Sequence, residues 1–264
     1  MTERPLFLLS NDDGVHAPGL RELARAVKGI GDVVIVAPHV ERSASSHALS
    51  IHLPLRFEEI EQGVFAVEGT PADCIMMACR KLLRRKPNWV LSGINRGANL
   101  GIDTMYSGTV AAAMEGVING IPGIAVSCYG KAREQLHYET ASRVVLMLLE
   151  RQELFADLTR AALLNVNVPN VPWSRIKGVR VSGLGKRIYE EEMQEGTDPR
   201  GRAYFWIGAG GEMFADIPNS DCLLIDQGYV TISVLRPSLL DEQGNAQLEG
   251  KLAGQFEHNF LGKL

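Results

Sequence analysis

The chain is 264 residues long, 45% hydrophobic and 22% charged, with a formal net charge of −4. That length can bury most of its apolar surface as one large α/β domain or a main domain with an appendage, while the mild acidity excludes a protein that coats a nucleic-acid polymer. The four cysteines, Cys74, Cys79, Cys128 and Cys222, form no CxxC pair and read as reduced core residues, no run spans a membrane, and Met1 to Pro5 show no signal-peptide pattern, so a cytoplasmic location is expected.

In chain order, the apolar run Leu6–Ser10 predicts a buried strand, closed by Asn11-Asp12-Asp13-Gly14. Pro18–Lys28 predicts a helix with Leu20, Leu23, Ala24 and Val27 on one face. Val33–Ala37 is the short, β-branched run of a parallel strand covered on both faces, and Pro38 ends it ahead of a loop through Glu41-Arg42-Ser43. Leu53–Phe57 and Val64–Val67 predict a strand pair. Thr70 and Pro71 are the N-cap and first position of a helix expected to reach Arg85. Trp89–Ser92 is the next buried strand, followed by a loop from Gly93 through Asn95 to Gly101. Ser107-Gly108-Thr109 then opens a helix of small residues over Val110–Ile118, and Ile124–Ser127 returns as a strand. Further on, Ala141–Arg151 predicts a helix and Leu163–Val168 a strand with Asn165 and Asn167 on one face. Residues 186–221 lose periodicity and look like an excursion from the sheet; Gly228–Val234 is again a strand, and the tail from Leu239 is at best a partly helical arm. The expected division is an α/β core over 1–185 and an excursion, returning strand and arm over 186–264.

The loops behind the strands carry the chemistry. Asp12 and Asp13 are adjacent acids at a strand end, where ligands of open α/β sheets collect. Asn, Asp and Gly also make ordinary turns, so that tetrapeptide alone favours structure over function. Ser43 and Asn95 follow two further strands, however, and two carboxylates with a hydroxyl and an amide oxygen form a hard donor set suited to Mg²⁺, Mn²⁺ or Ca²⁺. Zinc would prefer His or Cys. None of the six histidines shows an HExxH-type pairing, so each reads as a surface or packing histidine, although His47 is near enough to Ser43 in sequence to reach a shared site. GxGxxG and Walker patterns are absent, which removes the strongest signals for NAD and ATP. Ser107-Gly108-Thr109, ahead of a helix, suits either an N-cap or an anion. Beside an acid-bound metal the anion reading gains, so Asn11, Ser107, Gly108 and Thr109 are the candidate phosphate-binding residues.

These motifs, in this order, resemble the SurE family of stationary-phase survival proteins. The resemblance rests on Ser10-Asn11-Asp12-Asp13-Gly14, Val36-Ala37-Pro38, Gly69-Thr70-Pro71-Ala72-Asp73-Cys74, Ser92-Gly93-Ile94-Asn95-Arg96-Gly97, Asn99-Leu100-Gly101 and Tyr106-Ser107-Gly108-Thr109-Val110-Ala111-Ala112. It continues more sparsely through Asn165-Val166-Asn167-Val168-Pro169, Tyr204-Phe205-Trp206 and Gly228-Tyr229-Val230-Thr231-Ile232. Ser220-Asp221 and Ser233-Val234-Leu235 depart from the family's usual Thr-Asp and Thr-Pro-Leu, and the loops at Glu190-Glu191-Glu192 and Gly210-Gly211 have no residue-by-residue counterpart.

The resemblance implies an α/β, Rossmann-like three-layer fold with a C-terminal arm for oligomerisation, a homodimer or homotetramer. It also implies a 5′-nucleotidase that hydrolyses nucleoside 5′- and 3′-monophosphates, and in some members short polyphosphate. Its Mg²⁺ or Mn²⁺ ligands would be Asp12, Asp13, Ser43 and Asn95, with Asp12 or Asp13 orienting the attacking water. A covalent aspartyl-phosphate is disfavoured because the first loop lacks DxD spacing. A non-catalytic nucleotide or phosphate sensor, or a glycosyltransferase-like enzyme acting on a sugar nucleotide, would use the same crevice.

Overall fold

The computed structural model describes residues 3–130, 134–159, 162–188, 193–206 and 213–252. Glu190-Glu191-Glu192, Gly210-Gly211 and the tail beyond 252 lie outside them. The first half alternates strand and helix: β1 Leu6–Ser10, α1 Pro18–Val27, β2 Asp32–Pro38, β3 Phe57–Glu61, β4 Val64–Val67, α2 Pro71–Met77, β5 Trp89–Arg96, α3 Gly108–Ile118, β6 Gly123–Tyr129 and α4 Tyr138–Glu150. The second half holds α5 Ala156–Thr159, β7 Leu163–Pro169, β8 Val179–Val181, β9 Arg187–Ile188, β10 Gln194–Thr197, β11 Ala203–Trp206, β12 Met213–Phe214, α6 Asp221–Asp226, β13 Val230–Leu235 and α7 Glu242–Leu252.

One nine-stranded sheet runs β3-β4-β2-β1-β5-β6-β7-β13-β8. From β4 to β7 every neighbour pairs in parallel, while β3 joins β4, and β13 joins β7, antiparallel. Such central strands are covered on both sides, which is why β1 and β7 are buried at every position. Leu9, Leu20, Leu23, Leu91, Val144 and Val145 pack one side of the sheet together with α1 and α4. Leu8, Val36, Cys74, Ile75, Val90 and Ala112 pack the other against α2 and α3. Each fully buried Leu contributes roughly 1.5–3 kcal/mol, so these two layers carry most of the driving force. The layered, Rossmann-like architecture follows.

The strand order places a switch point at the centre. The chain steps outward from β1 to β2 and β4, then returns through α2 to β5 on the other side of β1. Loops leaving β1 and β5 therefore diverge over a crevice at their carboxyl ends.

Three local expectations need correction. Leu53–Phe57 is not a strand; the edge strand is Phe57–Glu61. Ile51 and Leu53 are solvent-exposed, and Pro54 denies the ladder a donor. The helix after Thr70 closes at Met77 and continues only as a π-helical turn over Ala78–Leu82, with Leu83 extended, rather than reaching Arg85. β5 runs past Ser92 to Arg96 because Asn95 and Arg96 find partners in Ser127 and Cys128 across a bulge. The arm is helical over part of its length, as expected, with α7 spanning Glu242–Leu252. Among the cysteines, Cys74, Cys128 and Cys222 are buried, Cys79 is half-buried, and all are free thiols.

Candidate metal and phosphate site

Asp12 and Asp13 leave β1 in a turn that Gly14 closes with φ of +100°, a conformation that disfavours any side chain there. Asn11 fixes the turn by donating from Nδ2 to the Gly14 carbonyl at 3.0 Å. Three other segments are bonded to the two acids. The Arg42 amide, next to Ser43, donates to the Asp12 carbonyl at 2.7 Å. The Arg96 amide, next to Asn95, donates to Asp13 Oδ2 at 3.2 Å. The Thr109 hydroxyl donates to Asp12 Oδ1 at 2.5 Å. The loops behind β1, β2 and β5 and the start of α3 thus meet at one point.

The loop behind β2 is held there by its own anchors. Ser50 donates from both its amide and its hydroxyl to Asp73, the Ala48 carbonyl accepts from Thr70 Oγ1, and the Ser46 amide donates to the Tyr106 carbonyl at 3.0 Å. Thr70 and Asp73 also form a capping box at the start of α2. Ser43 is exposed, and its hydroxyl donates to Glu41 Oε1 at 2.7 Å, which leaves oxygen lone pairs for a cation. Asn95 donates from Nδ2 to the Gly97 carbonyl at 2.8 Å, which directs its Oδ1 the other way.

At α3, Ser107 is the N-cap, its hydroxyl accepting from the Val110 amide. Gly108 lies so close to the acid that a Cβ there would sit 2.8 Å from Asp12 Cβ and 2.8 Å from Ser45 Oγ. Thr109 is buried and bonded to Asp12, so it acts on that carboxylate rather than projecting toward open solvent.

The electrostatics are unusual for two aspartates. Burial raises the Asp12 carboxyl above its ordinary range, although the Thr109 hydroxyl and the amides of Gly108 and Thr109 pull it back down. Burial, and then the charge of Asp12, raise Asp13 to about 6. Nearby, the side-chain oxygens of Ser10, Asn11 and Ser92 are buried without a hydrogen-bond partner. Ser10, the last residue of β1, and Ser92, in the middle of β5, are register partners. Repelling carboxylates and orphaned oxygens are what a bound cation would satisfy, and the donor set is oxygen throughout. Among the described residues no group of three or more His, Cys, Asp or Glu could hold a metal, so any cation here needs the neutral oxygens as well. The residues fit a hard divalent ion.

Two further acids escape a reading of motifs. Asp221, buried, accepts from the amides of Gly101, Gly185 and Cys222 at 2.7–2.8 Å and so pins the loop beyond β5 to the segment before β9. Two of its partners are distant in sequence, so the Ser220-Asp221 pattern does not reveal what it holds. Glu115 is buried on α3, where it accepts from Asn119 and lies 2.9 Å from His47 Nε2. A lone charge inside a helix of small residues was the available signal. Behind the β5 loop, the Asn99 carbonyl accepts from Asn165 and Asn167, giving the paired asparagines on β7 a structural use.

The fold and crevice define an α/β protein with paired carboxylates beside a helix start at a sheet switch point. Comparison with known proteins makes the assignment specific. A family model described as Survival protein SurE matches residues 7–191. The protein "5′-nucleotidase SurE" of Geobacter metallireducens is 48% identical over 237 residues, covering 88% of this chain and 92% of that one. Its namesake from Syntrophotalea carbinolica is 45% identical over 234 residues, covering 89% and 92%. The crystal structure of the SurE protein from Aquifex aeolicus matches with a TM-score of 0.81 at 38% identity, covering 94% of this chain and 99% of that one. The chain belongs to the SurE family.

Proposed function

We propose that this chain is a 5′-nucleotidase that hydrolyses nucleoside monophosphates at the crevice over β1 and β5, using a divalent cation held by Asp12, Asp13, Ser43 and Asn95. The nucleotidase activity rests on the relatives' names and on the family. The observation that carries the site is the pair of raised, adjacent carboxylates against the start of α3. Mg²⁺ or Mn²⁺ suits the donors and, when bound, polarises a phosphate oxygen and acidifies a water.

The chain's own residues do the rest. Asp12 is locked by Thr109 and keeps a fixed orientation. Asp13 is the more open of the two, so it orients the attacking water and takes its proton. The new P–O bond forms as the ester P–O bond breaks, and the leaving nucleoside oxygen is protonated from solvent. Asn11, Ser107, Gly108 and Thr109 line the phosphate's side, where α3 amides and the helix dipole offset growing negative charge.

A turnover panel of nucleoside 5′- and 3′-monophosphates, short polyphosphate and sugar nucleotides tests the reading. Phosphate release from the 5′-monophosphates supports it; binding without release makes the protein a sensor, and cleavage of sugar nucleotides alone makes it a transferase. Calorimetric titration tests the donors, since Ser43→Ala and Asn95→Ala should each weaken Mn²⁺ binding about tenfold or more while leaving the melting curve nearly unchanged. Unchanged affinity in both variants removes those loops from the cation.

The assembly is a homodimer or homotetramer whose contacts come mainly from residues 186 onward. Tyr204, Phe205 and Trp206 are 45–67% exposed on the β10–β11 hairpin, and no residue of α7 is buried. Apolar side chains so placed gain stability by covering a second subunit. Deleting the chain after Leu239 should lower the mass seen by light scattering before it lowers turnover per folded site. A full-length monomer at working concentration contradicts this.

No helix among the described residues is long and apolar enough to cross a membrane.

A further inference from the structure

At the opposite edge of the sheet from the acidic crevice lies a cavity of about 330 Å³, lined by Arg80, Arg84, Arg85, Lys86, Cys79 and Asn119 among others. It sits where the segment behind α2 enters β5 and where α3 gives way to β6. β5 runs from this end to the crevice, Trp89 to Asn95, a rise of roughly 20 Å. The two sites are therefore separate.

The lining holds four cations and no carboxylate. All four belong to the run Arg80-Lys81-Leu82-Leu83-Arg84-Arg85-Lys86, in a chain whose formal net charge is −4. The π-helical turn over Ala78–Leu82 ends with Leu83 extended, so the chain leaves the helix there instead of spacing these cations around it. Arg85 is already neutralised, by Glu3 at 3.3 Å and Asp32 at 3.1 Å. Arg80, Arg84 and Lys86 are exposed and have no ion-pair partner among the described residues.

The negative groups nearby do not cancel these three charges. Burial and then the charge of Glu115 raise the Cys79 thiol, while Lys86 and Arg80 pull it back down, so both cations stand close to that thiol. Glu115 itself is buried and bonded to His47 and Asn119. The carboxyl end of α3 carries only about half a charge, and Lys86 Nζ lies 3.2 Å from where a Cβ on Gly120 would sit, so it offsets part of one cation.

A cleft lined by one sign of charge concentrates the opposite ion, and guanidinium forks match phosphate oxygens in pairs. A lone phosphate, at most a dianion, leaves one of the three cations unmatched. A diphosphate matches all three. We propose that this cavity is a second, non-catalytic anion site that takes a diphosphate group, free as pyrophosphate or at the end of a nucleotide, through Arg80, Arg84 and Lys86. It stands apart from the nucleotidase reading, because no step of that reaction uses these residues.

Inorganic pyrophosphate, orthophosphate, ADP and AMP are titrated calorimetrically into the full-length protein in metal-free buffer, where the crevice offers only its repelling carboxylates. The same titrations are run on Arg84→Gln combined with Lys86→Gln, on Arg80→Gln, and on a control combining Arg175→Gln with Lys177→Gln, which removes two exposed cations elsewhere. Melting curves show that each variant is folded.

Pyrophosphate and ADP should bind the wild type about tenfold or more tightly than orthophosphate and AMP, and the tighter of the two names the source of the diphosphate. The Arg84 and Lys86 double variant should weaken both about tenfold or more, Arg80→Gln should weaken them severalfold, and the control should change them less than about twofold. No pyrophosphate binding, AMP as tight as ADP, full affinity in the folded double variant, or an equal loss in the control overturns the site. A single-stranded oligonucleotide that binds more tightly than pyrophosphate, with the same loss in the double variant, overturns it in favour of a nucleic-acid contact.

Discussion

Gly108→Ala is expected to lower turnover about a hundredfold while leaving the protein folded. The added Cβ would lie 2.8 Å from Asp12 Cβ, 2.8 Å from Ser45 Oγ and 3.1 Å from Asp12 Oδ2. Real Cβ atoms do not approach that closely, so Asp12 must shift. Its carboxylate is fixed by Thr109 and by the turn after β1, and a displacement near an ångström in a positioned catalytic group costs orders of magnitude in rate. Steady-state kinetics beside a thermal melt separates lost turnover from lost fold. Normal turnover in a folded Gly108→Ala variant would mean that the start of α3 does not set the position of Asp12.

Asp13→Asn should abolish activity and yet stabilise the metal-free protein above pH 6. Asp13 is raised from 3.8 to about 6, by burial first and then by Asp12. The folded state thus holds that proton more tightly than the unfolded chain does, so stability contributed by the protonated form is present at low pH and is lost as pH rises from about 4 to about 6. Asn keeps the shape, can still accept from the Arg96 amide, and carries no charge to repel Asp12. The expected gain at pH 7.5 is about 1–2 kcal/mol after solvent screening, or a few degrees in melting temperature. In the wild type, apparent Mn²⁺ affinity should fall as pH drops below about 6, because the cation must displace that proton. Melting curves in chelator at pH 5 and 7.5 test the pair. A variant that is destabilised at both values, or that keeps wild-type turnover, contradicts this account of the site.

Much of this site was legible because its donors sit at the ends of strands that are neighbours in the sheet. Short β-branched runs fix β1, β2 and β5 as buried parallel strands, and whatever follows such strands converges over the same edge of the sheet. The carboxylates of Asp12 and Asp13 could therefore be placed beside Asn95 without knowing a single distance. Thr109 illustrates what residue type alone does not settle. A hydroxyl at a helix start suits a phosphate or a neighbouring acid equally, and here its hydroxyl is bonded to Asp12. Glu115 and His47 lie 68 residues apart, so their pairing depends on the tertiary packing of the loop behind β2 on α3. The contacts of Asp221 could not be read for the same reason, its partners Gly185 and Gly101 being 36 and 120 residues away.

Where element boundaries failed, local polarity and tertiary pairing disagreed. Phe57–Glu61 is rich in acids and reads as loop, but an edge strand can turn alternate side chains to water and keep its ladder with β4. Gly93-Ile94-Asn95-Arg96 looks like a turn, yet β6 supplies partners that carry β5 on to Arg96. Asn95 consequently stands on a paired strand end rather than in a free loop, which is a firmer base for a ligand. The excursion hides its small antiparallel pairs, β10–β11 and β9–β12, because two- to four-residue strands carry too few positions to show a period.

Release of inorganic phosphate from a nucleoside 5′-monophosphate, followed in the presence of Mn²⁺, after chelation, and after Mn²⁺ is restored, tests the central claim most directly. The account predicts release with the ion, loss of release in chelator, recovery when the ion returns, and none of these in Asp12→Asn or Asp13→Asn. Full release in chelator, or wild-type release from both variants, would contradict it.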